Sequence, residues 1–480
     1  MDINRRFCDL MAIKASRKDI LWGYLSFALM YGMNLLLLPI ILRRLDVREL
    51  GLWYIFLSVN QLVMFLDFGF MPTVLRNASF CWAGAAVLAK EGFCGRDDHS
   101  QGRPNYELLK QVVGAARRLY SIIGALAGLV LLAGGLPFLK IVARDLPAVR
   151  STGAWIIFAA GIYINLRYAY WNPLLRGIGA IAESNKATVL ARGLQLLVAS
   201  IGLLAGGGLI AVAGAFLCGG VASRILMQRF LIRKLGEQAS ILKSGSLKDE
   251  SLREVSKILW FGARRQGLSV LASTMIQQSD ILVCATFMGL EKTAAYGITL
   301  QLFMMTASIS TILFNTYIPQ FNESGYRGDL ARTRRDFSRT LAVSWAILGI
   351  GTIMIVSVGP PVLRWFAPDK HMLPAVLCLI MGMAVILETN YGLFYAFLTT
   401  RNRIPPPVGY LITGTVQVLM SVLLVAGLET GYIGILLSRL TAQLGYLSWR
   451  WPQLGLRELN CRLSELLKST FSKSYESLKN

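Results

Sequence analysis

The chain has 480 residues, of which 54% are hydrophobic and 16% charged, with a mean hydropathy of +0.52. A soluble protein of this length carries about 25% charged residues and divides into a few domains, so the composition excludes that class and points to a polytopic membrane protein. The net charge of +22 would suggest nucleic acid in a soluble chain, but there is no RNP-type aromatic motif, no zinc-finger spacing and no helix-turn-helix outside an apolar span, and the cytoplasmic loops of membrane proteins collect Lys and Arg.

From Met1 to Lys18 the chain is polar and basic, and it leads into an apolar run with no A-x-A-type cleavage site. This predicts a retained first helix rather than a removed signal peptide. Twelve apolar blocks follow, each near the roughly 20 residues that cross a hydrocarbon core of about 30 Å. They lie at about 20–42, 49–70, 119–141, 152–173, 187–206, 209–228, 260–287, 293–318, 341–359, 373–398, 407–427 and 431–449. With the N-terminus in the cytoplasm, and with Lys140, Arg192 and Arg224 at span ends counted with the loops they adjoin, the inside segments carry 36 Lys and Arg and the outside loops 9, leaving Arg167, Arg264, Arg265 and Arg439 within spans. That asymmetry predicts cytoplasmic N- and C-termini.

Two inside segments stand out. The stretch EGFCGRDDHSQGRPNYELL is rich in turn formers and passes into an amphipathic run, Tyr106 to Arg118, that should continue into span 3. The basic stretch RFLIRKLGEQASILKSGSLKDESLREVSK divides the spans six and six. The expected organisation is an all-α membrane protein with an N-terminal lobe (1–228), a basic cytoplasmic linker (229–257), a C-terminal lobe (258–451) and a cytoplasmic tail (452–480). An internal repeat is faint. Ile20-Leu21-Trp22 opens span 1 and Ile258-Leu259-Trp260 opens span 7, and each leads through a short charged turn to a helix beginning with Gly beside an aromatic. Six spans per half is a recurrent transporter plan.

Chemistry that needs a fixed motif is missing. The seven cysteines are scattered with no CxxC, and the only histidines are His99 and His371, which excludes a disulfide framework, a zinc site and a credible Ser/His/Asp set. There is no GxxxxGK[ST]. Gly177-Ile178-Gly179-Ala180-Ile181-Ala182 mimics a dinucleotide fingerprint but lies between two spans, so a tight turn is expected there. No catalytic residue, metal ligand or cofactor is assigned, and the chain is not expected to be an enzyme.

Ionisable groups at membrane depth carry the information. A charge at a helix centre costs about 2.5–3.5 kcal/mol on insertion scales, so it must face a wet cavity or a partner. The basic candidates are Arg264 and Arg265 in WFGARRQGLSVLASTMIQQSDIL, Arg167 and Arg439; the acidic ones are Asp67, Asp280 and Glu388. Arg264 and Arg265 lie near the cytoplasmic loop and could instead snorkel. Asp280 is roughly 22 Å further along the same helix at 1.5 Å per residue, so the three cannot pair directly. Arg439 is too deep for easy snorkelling and needs a cavity or a buried partner. Glu388 is the deepest acid; either ion coupling or a salt bridge with an arginine accounts for it. Tyr168 and Tyr391, with Tyr163, Tyr170, Trp171 and Tyr395, suit an interfacial belt or the flat faces of sugar rings. Gln278 adds an amide. The cavity candidates are thus Arg264, Arg265, Arg439, Arg167, Tyr168, Gln278 and Tyr391, and the ion-coupling candidates Asp67, Asp280 and Glu388. Arginine forks match phosphate.

The N-terminal stretch ILWGYLSFALMYGMNLLLLPIILRRLDVRELGLWYIFLSVNQLVMFLDFGFMPTVLRNASF resembles polysaccharide-biosynthesis transporters of the MOP (multidrug/oligosaccharidyl-lipid/polysaccharide) superfamily, specifically Wzx-type O-antigen flippases. The resemblance rests on Pro39-Ile40 ending span 1, the Glu49-Leu50-Gly51-Leu52-Trp53 turn and Leu66-Asp67-Phe68-Gly69-Phe70 closing span 2. It implies a MATE-like fold of two six-helix lobes around a cationic cavity. It also implies movement of an undecaprenyl-diphosphate-linked oligosaccharide from the cytoplasmic to the periplasmic leaflet of the bacterial inner membrane. Alternating access coupled to H+ or Na+ goes with it, as does work beside a polysaccharide polymerase or chain-length regulator in lipopolysaccharide synthesis. Two rivals stand beside this reading. A multidrug or metabolite antiporter of the same superfamily predicts a carboxylate-dominated cavity. A membrane-embedded glycan polymerase or ligase predicts a large outside loop, and every outside loop here is short.

Overall fold

The computed structural model describes residues 37–67, 69–82, 84–88, 104–144, 146–240, 249–327, 329–400 and 408–466, and the side chains of residues 65, 249, 250, 262–273, 319 and 322–327 lie outside the description. Contacts divide the chain into two compact units. Unit 1 takes the residues up to Glu49 and Val59–Val270; unit 2 takes Leu50–Ser58 and the residues from Leu271 onward. The division falls inside one helix, Asp249–Met288.

The described residues are helical almost throughout. The helices are α1 (Val47–Met64), α2 (Phe70–Trp82), α3 (Tyr106–Ala133), α4 (Gly135–Val142), α5 (Ala148–Arg167), α6 (Trp171–Gly177), α7 (Ile181–Leu204), α8 (Gly208–Leu235), α9 (Asp249–Met288), α10 (Leu290–Ser310), α11 (Ile312–Arg327), α12 (Leu330–Ser357), α13 (Gly359–Phe366), α14 (Ala375–Thr400), α15 (Val408–Val422), α16 (Tyr432–Gly445) and α17 (Leu447–Glu458). Among the described residues, eight helical stretches are long and apolar enough to cross a membrane. This is a multi-pass membrane protein. A helix is the natural solution there because it satisfies its own backbone polar groups where water is absent.

Local chemistry sets the ends. Asn105 caps α3 by accepting from the Leu108 N–H at 3.0 Å, and Asp329 caps α12 by accepting from the Arg332 N–H at 2.9 Å; each satisfies a first-turn donor that has no helical partner. The amphipathic run from Tyr106 does pass into span 3 as one 28-residue helix. The glycine-rich stretch after α6 is a tight turn, with Gly179 at φ +80°.

The internal repeat, faint in the residues, is plain in the elements. The helix α3 and its short sequel α4 span 106–133 and 135–142; α12 and α13 span 330–357 and 359–366, with the same lengths and the same break, at the offset that carries Gly135 to Gly359. The helix α8 begins after Gly207, and α16 begins after Gly431, again at that offset. In unit 2 the counterpart of α8 is interrupted at Tyr446, so it appears as α16 followed by α17.

Unit 1 is held by α8 against α7 and α5, with α3 on α5 and α2 on α6. Phe158 and Phe216 meet at 4.8 Å between ring centroids, and the Trp155 indole N–H donates to the Leu131 carbonyl at 3.0 Å. Unit 2 packs α14 against α12, α16 and α17. Its centre is a cluster of phenylalanines, with Phe337 at 4.6 Å from Phe397 and 5.1 Å from Phe394. Between lipid-embedded helices such contacts act by close packing rather than by expelling water.

Candidate functional site

Two polar assemblies lie inside the units, one open and one closed. The closed one is in unit 2. Arg439 on α16 is fully buried and bridges two acids, donating from Nη1 to Asp280 Oδ2 on α9 at 3.0 Å and from Nη2 to Glu388 Oε2 on α14 at 2.6 Å. Asp280 is held further by the Tyr296 hydroxyl at 2.9 Å and by Gln417 Nε2 at 3.0 Å, and the same amide donates to the Ile276 carbonyl. Five helices (α9, α10, α14, α15 and α16) thus share one hydrogen-bonded cluster. A buried charge is tolerated when it is paired and bonded in this way. Asp280 accepts three bonds from side chains, Glu388 one.

The open assembly is in unit 1. A cavity of about 380 Å³ lies between α1, α5, α7 and α8, and its cationic lining is Arg192 and Arg224. Asn60, Gln61, Asn165 and Gln195 supply amides, and Thr188 and Ser223 hydroxyls. Arg192 donates to Gln195 Oε1 at 3.0 Å. Arg224 reaches Asn165 Oδ1 at 3.4 Å, while its Nε and the Asn60 Oδ1 are buried without a partner. Among the described residues neither arginine makes an ion pair, and no carboxylate lines the cavity. Arg224 Nη1 also lies 3.9 Å from Met227 Sδ, and the Asp67 carboxylate, outside the lining, is near enough to interact with the Arg224 charge. Two glycines of α8 make the room: a Cβ on Gly220 would come 2.4 Å from Asn165 Nδ2, and one on Gly219 2.7 Å from Gln195 Cβ.

Of the residues singled out from the sequence, the structure brings Asp280, Glu388 and Arg439 together. Tyr391 is buried one turn from Glu388 with its ring 6.0 Å from Tyr410. Gln278 is half-buried on α9 and makes no hydrogen bond among the described residues. Arg167 closes α5, donating to the Arg117 carbonyl at 3.4 Å with its guanidinium 5.4 Å from the exposed Tyr168 ring. Asp67 sits in unit 1, accepting from the Tyr120 hydroxyl and from the Met71 N–H at 3.2 Å. Arg264 and Arg265 fall on α9, but their side chains lie outside the described residues.

Arg192 and Arg224 escape a hydropathy reading. The expected span 5 starts at 187, which makes Arg192 look like a residue of its entrance; α7 in fact starts at Ile181, placing Arg192 in the middle of the helix. Arg224 falls near the end of the expected span 6, beside the basic linker, but α8 runs on to Leu235. The available signal is polar spacing: Thr188, Arg192 and Gln195 recur on one face of α7, and Gly220, Arg224 and Met227 on one face of α8.

No protein-family model matches the chain, and no curated protein matches it. Solved structures do. An inward-facing multidrug resistance MATE family transporter of the MOP superfamily superposes with a TM-score of 0.64 at 16% identity, over 92% of this chain and 99% of the other. The lipid II flippase MurJ, in an inward closed conformation, gives 0.63 at 13% identity over 94% and 90%. The chain has a MATE-like fold. An outward-facing MATE transporter aligns over 94% of this chain with a TM-score of 0.55. At these identities the likeness is one of fold, and the residues of the MATE-like scaffold must speak for themselves on cargo.

Proposed function

We propose that this protein is a transporter that flips an undecaprenyl-diphosphate-linked oligosaccharide from the cytoplasmic to the periplasmic leaflet of a bacterial inner membrane by alternating access. The observation that carries the reading is the unit 1 cavity, where two arginines that make no ion pair among the described residues stand among amides and hydroxyls. Guanidinium forks favour phosphate, and amides with hydroxyls suit a hydroxyl-rich sugar. At about 380 Å³ the cavity lies at the small end of ligand sites, enough for a headgroup and not for a whole glycan, so it serves as a headgroup subsite. The fold supports transport in general, since one structural neighbour is named a lipid II flippase and another a multidrug transporter. The multidrug alternative calls for carboxylates that draw organic cations, and among the described residues none lines the cavity. The Asp280–Glu388–Arg439 cluster, with two acids to one base, is the place in unit 2 where taking up H+ or Na+ would balance charge, and we assign coupling there.

The test uses everted membrane vesicles and a radiolabelled lipid-linked oligosaccharide. Arg192→Gln and Arg224→Gln should each lower translocation at least about tenfold, the loss of roughly one charge-assisted contact of 1.5–3 kcal/mol, while inserting at normal levels. Full translocation by the double variant would overturn the reading. So would wild-type protein that confers cation-drug resistance and moves no lipid-linked glycan.

A further inference from the structure

The short helices α4 and α13 repeat more than their length. Gly135-Leu136-Pro137-Phe138-Leu139-Lys140-Ile141-Val142-Ala143 stands against Gly359-Pro360-Pro361-Val362-Leu363-Arg364-Trp365-Phe366-Ala367, every residue at the same offset from its counterpart. Gly, Pro, Leu and Ala are identical, and a basic residue followed by a large apolar one is kept. The three-dimensional roles repeat as well. Leu139 and Leu363 are the buried anchors, and the N–H of Ala143 or Ala367 closes the helix onto the carbonyl of that leucine at 2.8 or 2.7 Å. The next residue pair faces outward: Lys140 and Arg364 are exposed, Ile141 is 53% exposed and Trp365 74%.

Both helices follow a break at the end of a membrane span, and each is about 12 Å long at 1.5 Å per residue. Among the described residues neither Lys140 nor Arg364 has an acceptor. In the following turn Lys370 takes Asp369 at 2.8 Å, so that carboxylate is already matched and leaves Arg364 uncompensated. The charge count sharpens the point. On the expected topology nine basic residues lie outside, where Lys and Arg are normally scarce, and five of them (Lys140, Arg144, Arg150, Arg364 and Lys370) sit on these two helices and their exits.

We infer that α4 and α13 are interfacial elbows that each bind the headgroup of an acidic phospholipid. Lys140 with Arg144, and Arg364 in the second copy, meet the phosphate, while Ile141 and Trp365 seat at the boundary with the acyl chains. An exposed tryptophan beside an exposed cation matches the level of the bilayer where headgroup and chain meet. The occupant is anionic because Lys140, Arg144 and Arg364 make no ion pair among the described residues, Arg144 holding only the Ile141 carbonyl at 3.0 Å through its Nε, and the exposed Asp369 is taken by Lys370.

The test places full-length protein in nanodiscs containing either brominated phosphatidylglycerol or brominated phosphatidylcholine at equal mole fraction. The Trp365 signal is the difference between wild type and Trp365→Phe; an Ile141→Trp variant in the Trp365→Phe background reports on α4. Phosphatidylglycerol should quench each signal at least about twofold more than phosphatidylcholine. The excess should be lost in Arg364→Gln for α13 and in Lys140→Gln for α4, and kept in Arg364→Lys, which retains the charge. Equal quenching by the two lipids, or an excess that survives Arg364→Gln and Lys140→Gln, would overturn the inference. A variant that inserts poorly is caught by its yield, and Arg364→Lys still decides the case for α13.

Discussion

Arg439 shows what one residue can fix in an apolar setting. Its guanidinium satisfies Asp280 and Glu388 at once, so removing it leaves two acids buried near one another with no cation. Breaking one partner of a buried pair costs about 3–5 kcal/mol, whereas replacing the whole set by apolar or neutral groups is often tolerated. Arg439→Met alone should therefore lower the thermal midpoint in detergent sharply or abolish folding. Asp280→Asn combined with Glu388→Gln in the Arg439→Met background should recover most of the loss. A stable single variant would show that the cluster does not hold unit 2 together. The sequence already marks all three residues, because a charge deep in an apolar span demands a partner. It cannot pair them: they come from helices up to 159 residues apart, and only the packed fold sets which acid faces which arginine. Asp280 and Arg265 share a helix, yet the partner Asp280 takes is Arg439.

At the level of helices, the same glycine chemistry has two outcomes, depending on what the missing side chain leaves room for. A Cβ on Gly51 would come 2.1 Å from the Leu290 carbonyl oxygen, a backbone atom at the start of α10 that cannot swing aside. Gly51→Ala should prevent the close approach of α1 and α10 within unit 2, destabilising the protein by more than about 2 kcal/mol, in the upper range for single substitutions. A Cβ on Gly220 meets instead the end of the Asn165 side chain at 2.4 Å. Gly220→Ala should leave the thermal midpoint close to wild type and still impair translocation, since the displaced amide intrudes on the Arg224 side of the cavity. Equal thermal losses in both variants would refute the distinction. Helix existence is legible in the sequence because length and hydropathy dictate it in lipid. Helix ends are less so. The polar first turns of α7, Ile181 to Lys186, lie outside any apolar window, yet α7 begins there, and that shift hides Arg192 from a span-based reading.

Over the whole chain, the two halves keep their skeleton and part ways in their polar interiors. The break between α3 and α4 recurs between α12 and α13 at the same register. At that register Arg192 on α7 corresponds to Val416 on α15, and Arg439 on α16 to Ala215 on α8. Unit 1 therefore holds a cationic cavity and unit 2 an internally paired cluster with one acid in excess, a division of labour that a repeat alone does not disclose. The charge asymmetry along the chain bears on how this skeleton sits in the bilayer. With 36 basic residues expected inside and 9 outside, α4 and α13 should face the periplasm, and the end of α17 the cytoplasm. A cysteine placed at the exposed Pro368, in a background where the native cysteines are serine, should react with a membrane-impermeant maleimide in intact cells. A cysteine at the exposed Asn460 should react only after the membrane is opened. The reverse pattern would invert the protein, placing the five basic residues around α4 and α13 on the cytoplasmic surface, where their abundance would need no lipid to explain it.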